Sequence, residues 1–153
     1  MTQLQPMSEA DYAAFIDAHP APYAADRMRA DHITQAEAEA FVRKQTAETL
    51  PQGLATPGHQ FHNILADDGR QVGSLWLHHA PDQREAFVYD ILIDPQFRRQ
   101  GHAGAALREA QQRLKEAGCA VLGLNVFAHN PNARALYAKL GFAVTSSYMN
   151  KVL

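Results

Sequence analysis

One stretch near the middle of the chain decides the fold: Val88-Tyr89-Asp90-Ile91-Leu92-Ile93-Asp94-Pro95-Gln96-Phe97-Arg98-Arg99-Gln100-Gly101-His102-Ala103-Gly104. Its apolar first part predicts a buried strand that Pro95 stops, and the residues after Gly101 predict a helix. A strand that enters a helix through a glycine loop points several unpaired backbone N–H groups, and the positive end of the helix dipole, at one place. Such a place suits a phosphate or pyrophosphate.

The glycine loop does not identify a ligand by itself. It lacks the G-x-x-x-x-G-K-[ST] pattern of a Walker phosphate loop, and glycines at 101 and 104 alone do not make a dinucleotide fingerprint. A glycine that lets the chain turn tightly into a helix explains the same pattern. Phosphate binding and a plain turn therefore both remain open at this level.

The composition predicts a single α/β domain over residues 1–153 in a soluble cytoplasmic protein. The 153 residues, 46% of them hydrophobic, suffice for one core but not for two sizeable domains. A net charge of −2 without a Lys/Arg cluster argues against nucleic acid as a partner. The single Cys119 excludes an internal disulfide and fits a packing role, and no run reaches membrane-spanning length. The N-terminus carries no targeting pattern.

Helices are predicted first along the chain, and an antiparallel hairpin follows them. Ser8 is a plausible N-cap, and Thr34 to Glu37 match a capping box. The predicted elements are helices from Ser8 to His19, Tyr23 to Ala30 and Thr34 to Leu50, then strands Phe61 to Ala66 and Gln71 to His79 around an Asp-Asp-Gly-Arg turn.

The second half alternates strands and helices. The predicted elements are strands Ala86 to Ile93, Ala120 to Phe127 and Phe142 to Val152, a helix from Gly101 to Gly118, and a short helix from Asn130 to Gly141. The order predicts a mixed central sheet with the N-terminal helices on one side and two helices of the C-terminal half flanking it.

Two motifs give this chain a family resemblance. Arg98-Arg99-Gln100-Gly101-His102-Ala103 fits the [QR]-x-x-G-x-[GA] signature of the GNAT superfamily of N-acetyltransferases. Downstream, the segment from Asn130 to Phe142 resembles the family's N-x-x-A-x-x-L-Y-x-x-x-G-F pattern. The motif style is similar to that of the ribosomal-protein alanine acetyltransferases, and the resemblance is strong from about Gly69 to Phe142.

The resemblance implies a GNAT fold with an acetyl-coenzyme A site and no metal. In such proteins the loop amides cradle the pyrophosphate, and the end of the central strand bonds the pantetheine arm through its main chain. Asn130 is explained as an N-cap, and the family gives it a coenzyme contact as well. The coenzyme residues implied here are Ile91, Leu92, Ile93, Arg98, Arg99, Gln100, Gly101, His102, Ala103, Gly104, Asn130 and Tyr137.

Three side chains are candidates for the chemistry. On an apolar helical stripe Tyr137 would be a core aromatic, but the resemblance implies a general acid that protonates the departing thiolate. The resemblance carries a base to Glu85, which could equally be an exposed carboxylate at a strand entrance. Asp90 lies mid-strand in apolar surroundings, where it must be paired or have a raised pKa. Either carboxylate could accept the amine proton.

Other polar side chains have simpler explanations. The eight histidines show no spacing that matches a metal site, and His59 and His62 could line an acceptor cleft or lie at the surface. Arg27 and Arg29 could grip an acceptor carboxylate, although a solvated helix face explains them.

The sequence as a whole predicts an acetyl-CoA-dependent N-acetyltransferase in which a primary amine, on a small molecule or a peptide, attacks directly without a covalent enzyme intermediate. The alternatives are a GNAT-shaped protein that binds coenzyme A or an acyl-CoA without turnover, and a longer acyl donor. Neither nucleic acid nor membrane is expected as a partner. A homodimer is possible, in which the last strand pairs or swaps with a second copy.

Overall fold

The computed structural model describes residues 2–153, in which a first strand is followed by three helices, three strands, and then a helix, a strand and a helix. The strands are β1 (Gln3–Pro6), β2 (His59–Leu65), β3 (Gln71–His78), β4 (Glu85–Ile93) and β5 (Val121–Leu124). The helices are α1 (Glu9–Ala18), α2 (Pro20–Asp31), α3 (Gln35–Thr49), α4 (His102–Glu116) and α5 (Pro131–Lys139).

The strands form one mixed sheet in the order β1-β2-β3-β4-β5. Strands β1 to β4 pair antiparallel with their neighbours, whereas β5 pairs parallel with β4. A parallel connection has to cross back over the sheet, and α4 supplies that crossover. The sheet and its flanking helices match the predicted GNAT arrangement, so the fold-class prediction is confirmed.

A separate apolar core lies on each face of the sheet. On one face α4 packs against the strands, and α5 adds Tyr137 and Leu140 to the edge of this core. Its buried members are Leu4, Ile64, Val72, Leu75, Leu77, Val88, Ala106, Leu107 and Ala110. On the other face α1 packs onto the aromatic pair Phe61 and Trp76, whose ring centroids are 5.3 Å apart. The N-terminal helices and the later helices therefore lie on opposite faces.

The capping residues predicted for the first and third helices, Ser8 and Thr34, make the expected hydrogen bonds. At α1 the Ser8 hydroxyl accepts from the Asp11 N–H while the Asp11 carboxylate accepts from the Ser8 N–H. Thr34 and Glu37 make the same reciprocal pair at the start of α3. Each pair satisfies two backbone donors that a helix start otherwise leaves without partners. Helix α2 is longer than predicted, because Pro20 fits its first turn.

Two features of the sheet differ from the sequence prediction. The strand expected from Phe142 to Val152 is wrong, since residues 142–153 form no regular element and pair with no strand that the structure describes. Strand β1 was not predicted at all. Its main chain is held from a distant helix: the Leu4 N–H donates to Glu109, and Arg113 donates to the Leu4 carbonyl. Strand β5 also ends three residues earlier than expected, which opens the sheet beside β4.

No helix among residues 2–153 combines the length and the apolar character needed to cross a lipid bilayer.

Gly73 on β3 gives a test of the close approach between β3 and β4. A Cβ atom at this position would overlap the Leu92 carbonyl oxygen and lie 3.1 Å from the Ile93 Cα, both backbone atoms that cannot rotate away. We expect Gly73→Ala to lower the free energy of unfolding by about 2 kcal/mol or more, measured by urea denaturation.

Gly123→Ala on β5 is the matched control, because the nearest atom to its Cβ would be on the Phe87 ring at 3.4 Å, an ordinary contact distance. We expect it to change the free energy of unfolding by less than half as much. Equal effects of the two substitutions would contradict the packing described for Gly73.

Candidate active site

The sheet opens between β4 and β5. The two strands pair over four residues of each, from Glu85 opposite Val121 to Val88 opposite Leu124. Strand β5 ends there, but β4 continues to Ile93 with β3 as its only strand neighbour. The edge of β4 from Tyr89 to Ile93 on the β5 side therefore has no strand partner within residues 2–153, and its main-chain groups are available to a ligand, apart from the Ile93 carbonyl, which accepts from Arg98.

A β-bulge lies at the start of this opening. Trp76 of β3 pairs with Asp90 and Leu77 pairs with Val88, which leaves Tyr89 as an extra residue on β4. Val88 lies in the α4 core, whereas the Tyr89 ring stacks on Trp76 at 4.7 Å on the opposite face. Asp90 also reaches the α1 face, where it contacts a histidine. Regular alternation would have placed Asp90 with Val88 in the apolar core.

Asp90 is paired with His19, a residue that the sequence analysis did not identify. The His19 Nδ1 atom lies 3.4 Å from Asp90 Oδ2, and only 7% of His19 is exposed. The imidazole stacks between Phe15 and Tyr23, with ring centroids 5.2 and 5.7 Å away. The end of α1 thus fixes an ionisable group against a carboxylate at the opening of the sheet.

Tyr137 on α5 is close enough to Asp90 for the charge of that carboxylate to act on its phenol. Its ring is half-buried against the α4 core, and its hydroxyl has no hydrogen-bond partner among the described residues. Burial, and to a smaller extent the negative charge of Asp90, raise the pKa of the Tyr137 phenol above its usual value. The phenol therefore keeps its proton at neutral pH and can donate it.

The glycine loop has the predicted geometry. Pro95–Phe97 form one 3-10 turn, and both Arg99 (φ +65°) and Gly101 (φ +87°) adopt the left-handed conformation before α4 begins at His102. No side chain caps this end of α4, and the N–H groups from Arg99 to Gly104 have no acceptor in the part of the chain that the structure describes. These free donors and the helix dipole together suit an anion.

Side chains of the loop connect it to the end of β4 and to the N-terminus. The Arg98 Nε–H donates to the Ile93 carbonyl at 2.9 Å, so this guanidinium braces the loop. The Gln100 amide donates to the Gln96 carbonyl, and the His102 Nδ1 atom is 3.1 Å from the Thr2 hydroxyl. Arg99 is exposed and makes no ion pair with a described residue, so its charge is free for a ligand.

The helices of the two motifs lie side by side. Gly104 is buried in the first turn of α4, and a Cβ atom there would meet Leu136 of α5 at 3.4 Å. Ala103 is half-buried in the same turn. At the start of α5 the Asn130 Oδ1 atom accepts from the Ala133 N–H at 3.2 Å, as an N-cap does. The Asn130 side chain is otherwise exposed.

Glu85 lies apart from this group. It is the first residue of β4, is exposed, and sits where β5 still pairs with β4. Asp90 lies five positions further along the chain, which corresponds to about 16 Å along an extended strand. It lines a cavity of about 210 Å³ together with His78 and Phe87. The structure thus has Tyr137 near Asp90 on the part of β4 that leads into the loop, and it leaves Glu85 at the other end of the strand.

The histidines serve other roles. The Trp76 indole N–H donates to His59 Nδ1 at 3.0 Å, and burial together with the neighbouring His78 lowers the pKa of His59. His62 lies on the α4 face, not in the opening, and burial lowers its pKa to about 4. No three His, Cys, Asp or Glu side chains between residues 2 and 153 converge as metal ligands would.

The remaining candidates have structural partners. Arg27 pairs with Asp31 at 3.0 Å and lies over the Phe41 ring, so it belongs to the surface of α2 and α3. The Cys119 thiol contacts the carbonyl oxygens of Arg84 and Val121 and packs between α4 and β5.

Comparison with known proteins agrees with this geometry. The family model described as "Acetyltransferase (GNAT) family" matches residues 14–142, which include the loop, the opening and α5. The chain belongs to the GNAT acetyltransferase family. Members of this family use acetyl-CoA.

Individual GNAT relatives extend the match. An uncharacterized N-acetyltransferase of Bacillus subtilis, YycN, is 33% identical over 98% of this chain and 97% of its own length. The crystal structure of YycN superposes with a TM-score of 0.94 over 100% of this chain and 99% of that one. The ribosomal protein bS18-alanine N-acetyltransferase of Escherichia coli is 43% identical over 58 residues, 38% of this chain and 39% of that enzyme, so the predicted resemblance to that branch is confirmed in part of the chain.

A coenzyme complex is known for the same fold. The PaiA N-acetyltransferase of Thermoplasma acidophilum, solved with coenzyme A, has a TM-score of 0.71 at 18% identity, covering 97% of this chain and 93% of that one. At this low identity, the likeness shows that the two proteins share a fold.

The influence of Asp90 on Tyr137 can be measured directly. Replacing Asp90 by Asn removes a negative charge that opposes ionisation of the phenol, so the pKa of Tyr137 should fall. Burial, the larger cause, remains, and the pKa should stay above that of a free tyrosine. Titration of the Tyr137 ring carbon by NMR measures the change.

Glu85→Gln is the control, because Glu85 contributes nothing to the shift of Tyr137. It should leave the Tyr137 titration unchanged. An unchanged titration in Asp90→Asn, or a fall in Glu85→Gln, would contradict the arrangement of these groups.

Proposed function

We propose that this protein is an acetyl-CoA-dependent N-acetyltransferase that acts over the whole of residues 1–153 and moves an acetyl group to a primary amine by direct attack. One observation carries the proposal. The free amides of the loop follow the unpaired edge of β4 along the chain, and the Tyr137 phenol is close enough to Asp90 on that edge to feel its charge. A thioester that is anchored by its phosphates at the loop can lie along β4 and end beneath the phenol.

Binding of the donor depends on main-chain groups. The N–H groups from Arg99 to Gly104 hold the pyrophosphate at the positive end of α4, and Arg99 adds a full positive charge. Arg98 and Gln100 support the loop through the Ile93 and Gln96 carbonyls. His102 and Ala103 contribute backbone donors in the same turn. We assign Asn130, which begins α5 beside this helix, a contact with the coenzyme arm.

The edge of β4 positions the acyl group. The main chain of Ile91, Leu92 and Ile93 bonds the pantetheine arm as a further strand would, in the place that β5 leaves open. An N–H of this edge that points at the thioester oxygen polarises the carbonyl toward attack. Coenzyme A supplies the activated acyl group, and the protein supplies its alignment.

Proton transfer needs an acceptor for the amine and a donor for the sulfur. An alkyl amine with a pKa near 10.4 arrives protonated and must lose a proton before it attacks. We assign this proton to Asp90, directly or through a water molecule, with His19 holding the carboxylate. The nitrogen loses its other proton after the attack, and this proton returns to Tyr137 once the phenol has protonated the departing sulfur. Glu85 could take the role only through a longer water chain, since it lies about 16 Å along the strand from Asp90.

Tyr137 supplies the proton that the departing sulfur takes up. Its raised pKa keeps the phenol protonated, and its hydroxyl has no competing partner among the residues described. A thiol has a pKa near 8.5, so a thiolate takes a phenolic proton at a small energetic cost. No nucleophile is needed in this scheme, and the amine attacks the thioester in a complex of all three components.

A direct test of the activity is release of free thiol from acetyl-CoA in the presence of a panel of amines and peptides. Thiol release that depends on an amine supports the transferase. Tight coenzyme binding by calorimetry with no thiol release from any acceptor would contradict it and favour a silent binding protein. Longer acyl thioesters in the same assay define the donor.

Gly101→Glu should abolish measurable coenzyme binding. It places a negative charge among the donors of the loop, where a Cβ atom meets nothing within 4 Å, so the fold should persist. Isothermal titration with coenzyme A should show an affinity loss of at least about a hundredfold.

Gly118→Glu is the matched control for that substitution. Gly118 has the same φ of +87° and the same open surroundings, but it lies at the other end of α4. The backbone strain is therefore equal, and coenzyme affinity should stay at the wild-type value. Comparable losses in both variants would remove the phosphate assignment from the loop.

Tyr137→Phe should lower kcat by about ten- to a thousandfold with little change in coenzyme affinity. The ring and its packing remain, and only the proton donor is lost. Tyr12→Phe is the control, since burial also raises the pKa of this half-buried tyrosine but it lies in the α1 core. A wild-type kcat in Tyr137→Phe would show that Tyr137 has only a packing role.

A further inference from the structure

The exposed apolar side chains of this protein are concentrated in one region. Nine large hydrophobic residues are exposed among those described, and seven of them lie on β5, in the loop after it, or in residues 142–153. These seven are Val121, Val126, Val144, Tyr148, Met149, Val152 and Leu153. Such a concentration differs from the scattered apolar residues of an ordinary monomer surface and indicates a surface that is covered in the working protein.

The first component of this region is an open sheet edge. Strand β5 pairs with β4 on one side and with no described strand on the other. The opposite edge of the sheet is protected, because Glu109 and Arg113 of α4 bond the main chain of Leu4 in β1. On β5 the Cys119 thiol contacts the Val121 carbonyl, but no charged side chain among the described residues bonds the main chain of this strand, and Val121 is 53% exposed. An open edge of this kind is a template for another strand.

The second component is the C-terminal segment, residues 142–153. Its composition, with Val144, Thr145, Tyr148 and Val152, favours a strand, and the sequence predicts one there. In the structure it forms none, although Val144, Tyr148 and Met149 are 74%, 89% and 87% exposed. The one side-chain hydrogen bond of the segment runs from Asn150 to the Ala30 carbonyl of α2, not to β5.

We propose that the C-terminal segment of one copy pairs with β5 of a second copy, and that the exchange is reciprocal in a twofold dimer. Each component has what the other lacks: an open strand edge and a strand-forming apolar segment without a neighbour. Twelve residues can span about 40 Å when extended, enough to reach an adjacent subunit. The net charge of −2 opposes self-association only weakly.

The exchange of C-terminal segments also affects the cavity beside Glu85 at the start of β4. Val121 and Gly123 of β5 line the 210 Å³ cavity that Glu85 and Phe87 border on β4. A partner segment laid along β5 forms a further wall of this cavity. Residues of the second copy therefore border the surface that leads along β4 from Glu85 toward Asp90.

The oligomeric state of the full chain tests this proposal without reference to catalysis. Sedimentation velocity over a wide concentration range should show a particle of twice the 16.9 kDa chain mass. Val121→Lys alters the open edge, and Val144→Asp alters the segment. Both positions are exposed within one chain, so the variants should keep the wild-type circular dichroism spectrum. Each should weaken the dimer at least tenfold.

The control is Phe41→Asp, which removes an apolar side chain that is 44% exposed on α3, and it should leave the dimer intact. The reciprocal exchange gives a further prediction for a mixture of the Val121→Lys and Val144→Asp proteins. A dimer with one chain of each kind keeps one of its two contacts between a C-terminal segment and β5 intact. The mixture should therefore form heterodimers more tightly than either variant forms homodimers.

Several results would overturn the proposal. A wild-type chain that remains monomeric at all concentrations would show that the segment is uncovered or folds back on its own β5. A dimer that survives Val121→Lys or Val144→Asp, or that Phe41→Asp disrupts equally, would place the interface elsewhere. A mixture no tighter than the separate variants would exclude reciprocal exchange.

Discussion

The short parallel pairing of β4 and β5 is the constraint on which the rest of the site depends. Because β5 ends at Leu124, the last five residues of β4 keep one edge open. The chain after β4 turns directly into α4, so the same opening receives the free amides and the dipole of that helix. In the proposed mechanism, Asp90 and Tyr137 act as proton acceptor and proton donor because a thioester bound at this opening would lie beside them. If β5 were longer, the edge would be closed by protein.

Much of the fold follows from local sequence. The capping residues Ser8 and Thr34 mark helix starts, and the apolar positions of α4 repeat at helical spacing before Gly118. The family motifs predict the loop and α5 because each depends on a few neighbouring residues: a glycine with positive φ at 101, and an Asn130 cap before Pro131. These features are encoded within about ten residues of chain, so a pattern can show them.

Other features depend on partners far along the chain. Strand β1 has one buried residue, Leu4, and is held by Glu109 and Arg113 more than a hundred residues away. The pairing of His19 with Asp90 requires a bulge at Tyr89, which strict alternation along β4 would not predict. Residues 142–153 have strand propensity, but propensity makes no strand without a paired neighbour, and within one chain they pair with no strand that the structure describes.

Backbone amide spectra recorded during a coenzyme A titration test the central claim most directly. If the opening holds the coenzyme, the amides of residues 99–104 and those of residues 89–93 that point away from β3 should shift and become protected from hydrogen exchange, while those of residues 85–88, already paired with β5 or β3, should not change. Protection confined to other parts of the sheet, or an unaffected loop from Arg99 to Gly104, would contradict the account.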